Sequence, residues 1–309
     1  MKCECGRELP SRTIPLCPEC ARTEKALEVA RELHKPPEAS VKSCKLCANE
    51  CSGVALCGKP PYGALEYYED PLPTNCCNAW FCRGSKLRGT NLAVFYYGCN
   101  FDCLFCQNWI HKRIPRKVVS IEELLRAAGN PRVKCVCHFG GSPEPQLPFA
   151  LKFSRKVLEI RPDVMICWEW NGAGNRSLAL KAAELSEKSG GTVKFDLKAW
   201  NENLHVLLTG RSAERVRENF AAIAERYPEV LSATTLLVPF YVDEREVEGI
   251  AKFIASFSED IPYSLLVFHP DYRLSDLPVT PREQVFRCYR AAKKHLRRVN
   301  IGNIHLLGF

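Results

Sequence analysis

Three cysteines spaced as Cys99-x3-Cys103-x2-Cys106 are the residues of this chain best suited to carry chemistry. Thiolates ligate soft metals and iron–sulfur clusters. Three of them on a cubane [4Fe–4S] cluster leave one iron without a protein ligand, the iron–sulfur counterpart of a catalytic zinc site with an open position. An amino-carboxylate can chelate that iron, and an electron from the cluster can then pass into a bound sulfonium. The same trio also suits three of the four ligands of a zinc ion whose fourth lies elsewhere.

These three belong to a larger set of 18 cysteines, eleven of them before residue 90 and four beyond Cys106. The chain is long, opens on a Cys- and charge-rich stretch with no apolar leader, and groups its cysteines at short spacings. Those features favour metal ligation over a disulfide framework. Cys3-x-Cys5 with Cys17-x2-Cys20 reads as a small, closed, zinc ribbon-like site within residues 1–22. Cys44-x2-Cys47-x3-Cys51-x5-Cys57 is a second quartet, for zinc or an auxiliary iron–sulfur cluster. Cys76, Cys77 and Cys82 either complete one of these sites, hold a third with an outside ligand, or are buried thiols. For Cys135, Cys137, Cys167 and Cys288 the expectation is core packing, since free cysteine is among the most buried residue types.

The elements that must position these groups fall into two regions. Residues 1–90 carry little hydrophobic periodicity apart from one helix over Thr23–His34, stopped by Pro36-Pro37. Such a segment folds if metals cross-link it, because metal-binding free energy then becomes folding free energy. We therefore expect a metal-stapled Cys-rich region over 1–90, with its second cysteine cluster spanning 44–82. Residues 91–309 alternate short β-rich runs with helical patterns. Predicted strands are Leu92–Tyr97, Val133–Phe139, Val164–Trp170, Thr192–Leu197, Val230–Val238 and Tyr263–His269. Predicted helices are Ser120–Ala128, Phe149–Ile160, Ser177–Lys188, Ala213–Arg226, Glu244–Ser256 and Arg282–Arg297. Ser120 with Glu123 has the spacing of a capping box, and Gly190-Gly191 closes the third helix. Six β–α units imply an α/β fold with a parallel sheet, open or barrel-like. Neither a GxGxxG nor a Walker loop follows the first strand.

The segment Gly98–Asn108, with an aromatic Phe105 before the last cysteine, resembles the signature of radical S-adenosylmethionine (SAM) enzymes. Phe139-Gly140-Gly141-Ser142-Pro143-Glu144-Pro145 is similar to that family's GGEP-like turn, which binds the methionine amino group, with Ser142 where an acidic residue usually stands. Trp170-Asn171-Gly172 resembles the strand end of the activating enzymes for glycyl-radical proteins. Asp196-Leu197-Lys198 resembles their next motif, and alternation puts Asp196 and Lys198 on one face. The order of motifs over residues 90–309 is that of a pyruvate formate-lyase activating enzyme-like protein, here with a Cys-rich N-terminal extension.

The resemblance implies a partial (β/α)6 barrel with its site at the C-terminal strand ends. It implies a [4Fe–4S] cluster on Cys99, Cys103 and Cys106, and SAM contacts from Phe105, Gly140, Gly141, Ser142, Asn171, Asp196 and Lys198. Lys198 would meet the methionine carboxylate, and His269, at a strand end, faces substrate or is structural. The implied activity is reductive SAM cleavage to a 5′-deoxyadenosyl radical that takes a hydrogen atom from a protein or peptide. The implied electron donor is a low-potential ferredoxin or flavodoxin.

Two rival readings stay open. One is radical modification of RNA, drawn from the net charge of +8 and the ribbon-like N-terminus. The other is a non-catalytic multi-cluster electron-transfer protein. Lys112, Arg113, Arg116 and Lys117 would meet an acidic partner or form a solvated face. No apolar run approaches the roughly 20 residues of a membrane span, and an oxygen-labile cluster points to the reducing cytoplasm.

Overall fold

Short apolar strands joined by amphipathic helices hide both strand faces only when helices cover a parallel sheet. A computed structural model of the chain describes residues 1–58, 63–74, 76–112 and 118–308. The chain enters through α1 (Lys25–Leu33), the small strands β1 (Ser40–Val41) and β2 (Gly53–Val54), and β3 (Ala64–Pro71). It continues through β4 (Thr90–Tyr96), α2 (Ile121–Ala128), β5 (Val133–Phe139), α3 (Leu147–Ile160), β6 (Met165–Trp170) and α4 (Arg176–Ser189). There follow β7 (Val193–Asp196), α5 (Glu202–Thr209), α6 (Glu214–Arg226), β8 (Leu231–Leu237), α7 (Glu244–Ala255), β9 (Tyr263–Val267), α8 (Arg282–Lys293) and β10 (Val299–Gly302). One sheet runs β10-β9-β8-β7-β6-β5-β4-β3. Strands β4 to β10 are parallel and β3 lies antiparallel on β4. The end strands β3 and β10 are not paired with each other, so the sheet is a partial barrel.

The six strands expected from sequence are β4 to β9, with ends within two residues of the expected ones. Ser120 caps α2 by accepting the Glu123 N–H at 3.2 Å, and Gly190 ends α4 at φ 71°. Besides the two-residue strands β1 and β2, three elements escaped the reading. Strand β3 is a half-exposed edge carrying Glu66, Glu69 and Asp70, β10 has only four residues, and α5 only eight. Helix α8 stops at Lys293, four residues earlier than expected.

The first residues dock onto the sheet's helical layer. Ile14 and Leu16 are buried, and Tyr241 donates its hydroxyl to the Leu16 carbonyl at 2.9 Å. Arg22 reaches Glu246 and Asp243, each at 2.9 Å. Just past α1, His34 sits between Asp102 and the Leu207 carbonyl, at 2.8 Å from each. Gly210, the left-handed cap of α5 (φ 74°), makes room for that ring: a Cβ there would fall 2.7 Å from it. At the opposite end of the strands, residues 76–86 form a plug. Asn78 bonds Thr192 and Ser232 at 3.1 Å, and Trp80 donates to Ser264 at 2.9 Å.

Two expected outcomes follow from this packing. Gly210→Ala places a side chain in a left-handed conformation and against His34, and denaturant unfolding registers a loss of about 1–3 kcal/mol. Unchanged stability would contradict the packing described. His205 is buried on α5, donates through Nδ1 to the Arg211 carbonyl at 2.8 Å, and has no partner at Nε2 among the described residues. Burial holds it down to about 4. A histidine kept neutral stabilises the fold above its ordinary value near 6.5 and loses that contribution as pH falls toward 4. Thermal melts should therefore decline over that window, and His205→Gln should flatten the decline.

Candidate active site

The loop after β4 carries Cys99, Cys103 and Cys106 without regular structure, so its shape is imposed by neighbours. The Asp102 N–H donates to the Thr209 carbonyl at 2.8 Å and the Leu104 N–H to Leu208 at 2.9 Å, both at the end of α5. The Arg273 N–H donates to the Leu104 carbonyl at 3.1 Å. The Asp102 carboxylate joins His34 at 2.8 Å and Lys112 at 2.7 Å. Burial works against its charge, yet these partners hold it down to about 2. The loop is thereby fixed between α1, α5 and the segment after β9.

The turn after β5 packs directly on this loop. Gly140 accepts the Tyr96 N–H at 3.0 Å, and the Ser142 N–H donates to Gly98 at 3.2 Å. A Cβ at Gly141 would fall 2.3 Å from the Tyr96 carbonyl oxygen, at φ 63°, so only glycine permits the approach. After β6, Asn171 Nδ2 reaches Asn100 at 2.6 Å, Ser142 at 3.0 Å and the Cys99 sulfur at 3.8 Å. Glu144 is fully buried beneath this turn, where it accepts the Ser142 hydroxyl and the Gly172 N–H, the latter at 2.7 Å. Burial raises its carboxyl to about 7.

Beyond β7, Lys198 pairs with Asp196 at 2.9 Å and lies 5.6 Å from the centre of the Phe105 ring. Lys194 joins Asp196 at 3.5 Å and Glu169 at 2.8 Å, so alternating charges run from Glu169 to Lys198 across the concave face. Burial alone would raise Asp196, but Lys194 and Lys198 hold it well below the carboxylate range. The sequence-expected residues Cys99, Cys103, Cys106, Phe105, Gly140, Gly141, Ser142, Asn171, Asp196 and Lys198 thus gather at the C-terminal ends of β4 to β7.

Burial pushes the Cys99 thiol up to about 12 and Cys103 to about 11, with Lys112 and Lys198 nearby pulling the other way. Buried thiols of this kind stay neutral unless an electropositive group shares their charge. The three sulfurs are not gathered within 4.8 Å of one another, a grouping that, among the described residues, only Cys3, Cys5, Cys17 and Cys20 achieve. A tetrahedral ion with bonds of about 2.3 Å needs sulfurs roughly 3.8 Å apart. The N-terminal quartet, with Cys5 and Cys17 sulfurs 3.5 Å apart, fits one ion. The loop trio fits a wider group in which each thiolate takes its own iron.

The Cys44, Cys47, Cys51 and Cys57 segment is clamped beside this site. Ala48 donates to Ala173 at 2.8 Å, Asn175 to Leu46 at 2.8 Å, and Asn49 to the Asn100 carbonyl at 2.9 Å. Burial raises Cys47 to about 12. Cys76, Cys77 and Cys82 lie in the plug, at the other end of the strands from the loop.

Glu144 and His34 were missed as site residues. An acid between two prolines was visible in sequence for the first, but nothing local connects His34 to a loop 68 residues on. Lys112 is drawn inward by Asp102 instead of joining a solvated basic face, while Arg113, Arg116 and Lys117 lie outside the described residues. His269 is exposed at the end of β9, and Cys288 is fully buried in α8.

Comparison with known proteins agrees with this geometry. A Methanocaldococcus jannaschii protein named for glycyl-radical enzyme activation is 26% identical over 216 residues, covering 68% of this chain and 79% of that one. The isethionate sulfite-lyase activating enzyme of Desulfovibrio desulfuricans is 34% identical over 79 residues, a quarter of each chain. Streptococcus suis SuiB, solved bound to S-adenosylmethionine, shares the fold at a TM-score of 0.51 and 14% identity, over 68% of this chain and 49% of SuiB. The sequence profile of the Radical SAM superfamily matches residues 93–254, more than half of the chain, which therefore belongs to that superfamily.

Proposed function

We propose that this enzyme cleaves S-adenosylmethionine reductively at a [4Fe–4S] cluster held by Cys99, Cys103 and Cys106, and abstracts hydrogen from a protein or peptide. The observation that carries the reading is the convergence of three thiols, Cys103 buried and Cys99 and Cys106 partly so, with the Gly140-Gly141 turn, Asn171 and Lys198 at one end of the parallel strands. The donor set fits the group: soft sulfur ligands, spaced wider than one ion requires, beside two lysines that offset their charge. Together, bound cluster and S-adenosylmethionine supply cleavage of a sulfonium carbon–sulfur bond and hydrogen abstraction.

The chain's residues bind and orient. Lys198, kept protonated by Asp196 against its own burial, receives the methionine carboxylate. The Gly140–Ser142 turn offers backbone carbonyls to the amino group, and side chains at Gly140 and Gly141 would push the turn off Phe95 and the Tyr96 carbonyl. Asn171 holds Asn100, Ser142 and the Cys99 sulfur in one network. Phe105 packs against the nucleotide. Support for a protein or peptide substrate comes from the relatives named as activating enzymes and from SuiB, also solved with its precursor peptide SuiA. A low-potential ferredoxin or flavodoxin supplies electrons in the cytoplasm; no described helix is long and apolar enough to cross a membrane. Residues 1–90 form a Cys-rich region, with zinc on Cys3, Cys5, Cys17 and Cys20, and a second metal, zinc or iron–sulfur, on Cys44, Cys47, Cys51 and Cys57.

Anaerobically reconstituted, dithionite-reduced protein mixed with S-adenosylmethionine should release 5′-deoxyadenosine, measured by chromatography. Cys103→Ala should reduce release to background. Lys198→Ala should raise the apparent KM for S-adenosylmethionine about tenfold, the loss of one charge-assisted hydrogen bond. No release from the native sequence would overturn the proposal. Separately, purified protein should carry about one zinc that Cys17→Ser removes, with a lower melting temperature and an unchanged iron count. Zinc retained by that variant would place the ion elsewhere.

A further inference from the structure

Cysteine is an ordinary core residue, and Cys288 behaves as one, fully buried in α8. The strand cysteines do something else. Cys137 of β5 and Cys167 of β6 are register partners on adjacent parallel strands, and Cys135 precedes Cys137 by two residues on the same face. All three line a cavity of about 140 Å³ between the concave face of the sheet and the plug. From the plug side, Cys76 and Cys82 line it too. Five thiols therefore face one void, on three separate stretches of chain.

Protein interiors are close-packed, and cavities that stay empty are lined by apolar groups. This one is lined by thiols, Asn91 and Glu169 as well. Cys135 donates to Asn91 at 3.3 Å, and Cys76 to Glu169 at 2.9 Å. Gly84 on the plug lies between two of the sulfurs: a Cβ there would stand 3.8 Å from both Cys82 and Cys135, and 3.4 Å from the Met165 methyl. Any larger residue would fill the space that the thiols surround.

We propose that Cys82, Cys135, Cys137 and Cys167 hold a sulfide-bridged iron cluster inside the barrel, at the plug end and apart from the loop of Cys99, Cys103 and Cys106. Cys76, held by Glu169, stands beside this set as a thiol. The ligand type is that of iron–sulfur clusters. Four thiols spread around the walls of a void of about 140 Å³ suit a bridged cluster in which each sulfur takes its own iron. Arg83 in the cavity wall supplies positive charge near an anionic cluster, and Lys194 offsets the Glu169 carboxylate beside it at 2.8 Å.

The test counts iron and acid-labile sulfide in anaerobically reconstituted full-length protein. Cys82→Ser/Cys167→Ser should lose about two to four irons per chain relative to the native sequence. The change that S-adenosylmethionine induces in the EPR spectrum of the loop cluster should persist. Gly84→Leu, which keeps every thiol but fills the void, should lose the same iron, which guards against a serine variant that fails to fold. Full iron and sulfide in both folded variants would overturn the proposal. Loss of the SAM-induced EPR change with the iron otherwise intact would instead count against the loop site, so the two failures are distinguishable.

Discussion

The Asp102 carboxylate is the tie on which the site depends. A loop with three thiols and no regular secondary structure of its own cannot hold a shape, and an unpaired charge within it would be costly. Asp102 answers both needs by gathering His34, Lys112 and, at 3.7 Å, Arg273, while its N–H is spent on α5. The thiols then occupy fixed positions beside the Gly140–Ser142 turn. Because His34 follows α1, the Cys-rich start of the chain and the loop at the strand ends are parts of one arrangement.

That arrangement follows a division along the strands. At their C-terminal ends lie three thiols, glycine turns and Lys198, a charged group kept charged by its neighbour. At their other ends the plug seals the sheet through Asn78, Trp80 and Ser264. Between the two, Glu169, Lys194, Asp196 and Lys198 form an unbroken series of ion pairs on a concave face where isolated charges would be unaffordable. Lys194 and Asp196 share one face of β7 because strand side chains alternate, and Lys198 joins them from just past its end.

The amino-acid sequence made legible what depends on local pattern. Strands β4 to β9 announce themselves as short β-branched runs, and Cys99, Cys103 and Cys106, Gly140-Gly141, Asn171 and Asp196-Leu197-Lys198 stand where strand ends were expected. What stayed hidden depends on distant partners. His34 looks like the end of a helix until the fold brings Asp102 to it. Cys135, Cys137 and Cys167 look like core residues until the plug brings Cys82 to the same void. Strand β3 was obscured because its acids and exposed positions match an edge, not the buried pattern sought.

That edge strand has its own consequence. An unclosed sheet presents rows of unsatisfied peptide groups at both margins, an invitation to strand-to-strand aggregation. On one margin β3 carries Glu66, Glu69 and Asp70 and ends in Pro71, with a bulge between Ala64 and Glu66 that breaks regular pairing. The other margin, β10, is only four residues long and ends in Gly302. Charge repulsion guards one rim and brevity the other. The barrel can thus stay open for a bulky guest without its copies adhering to one another.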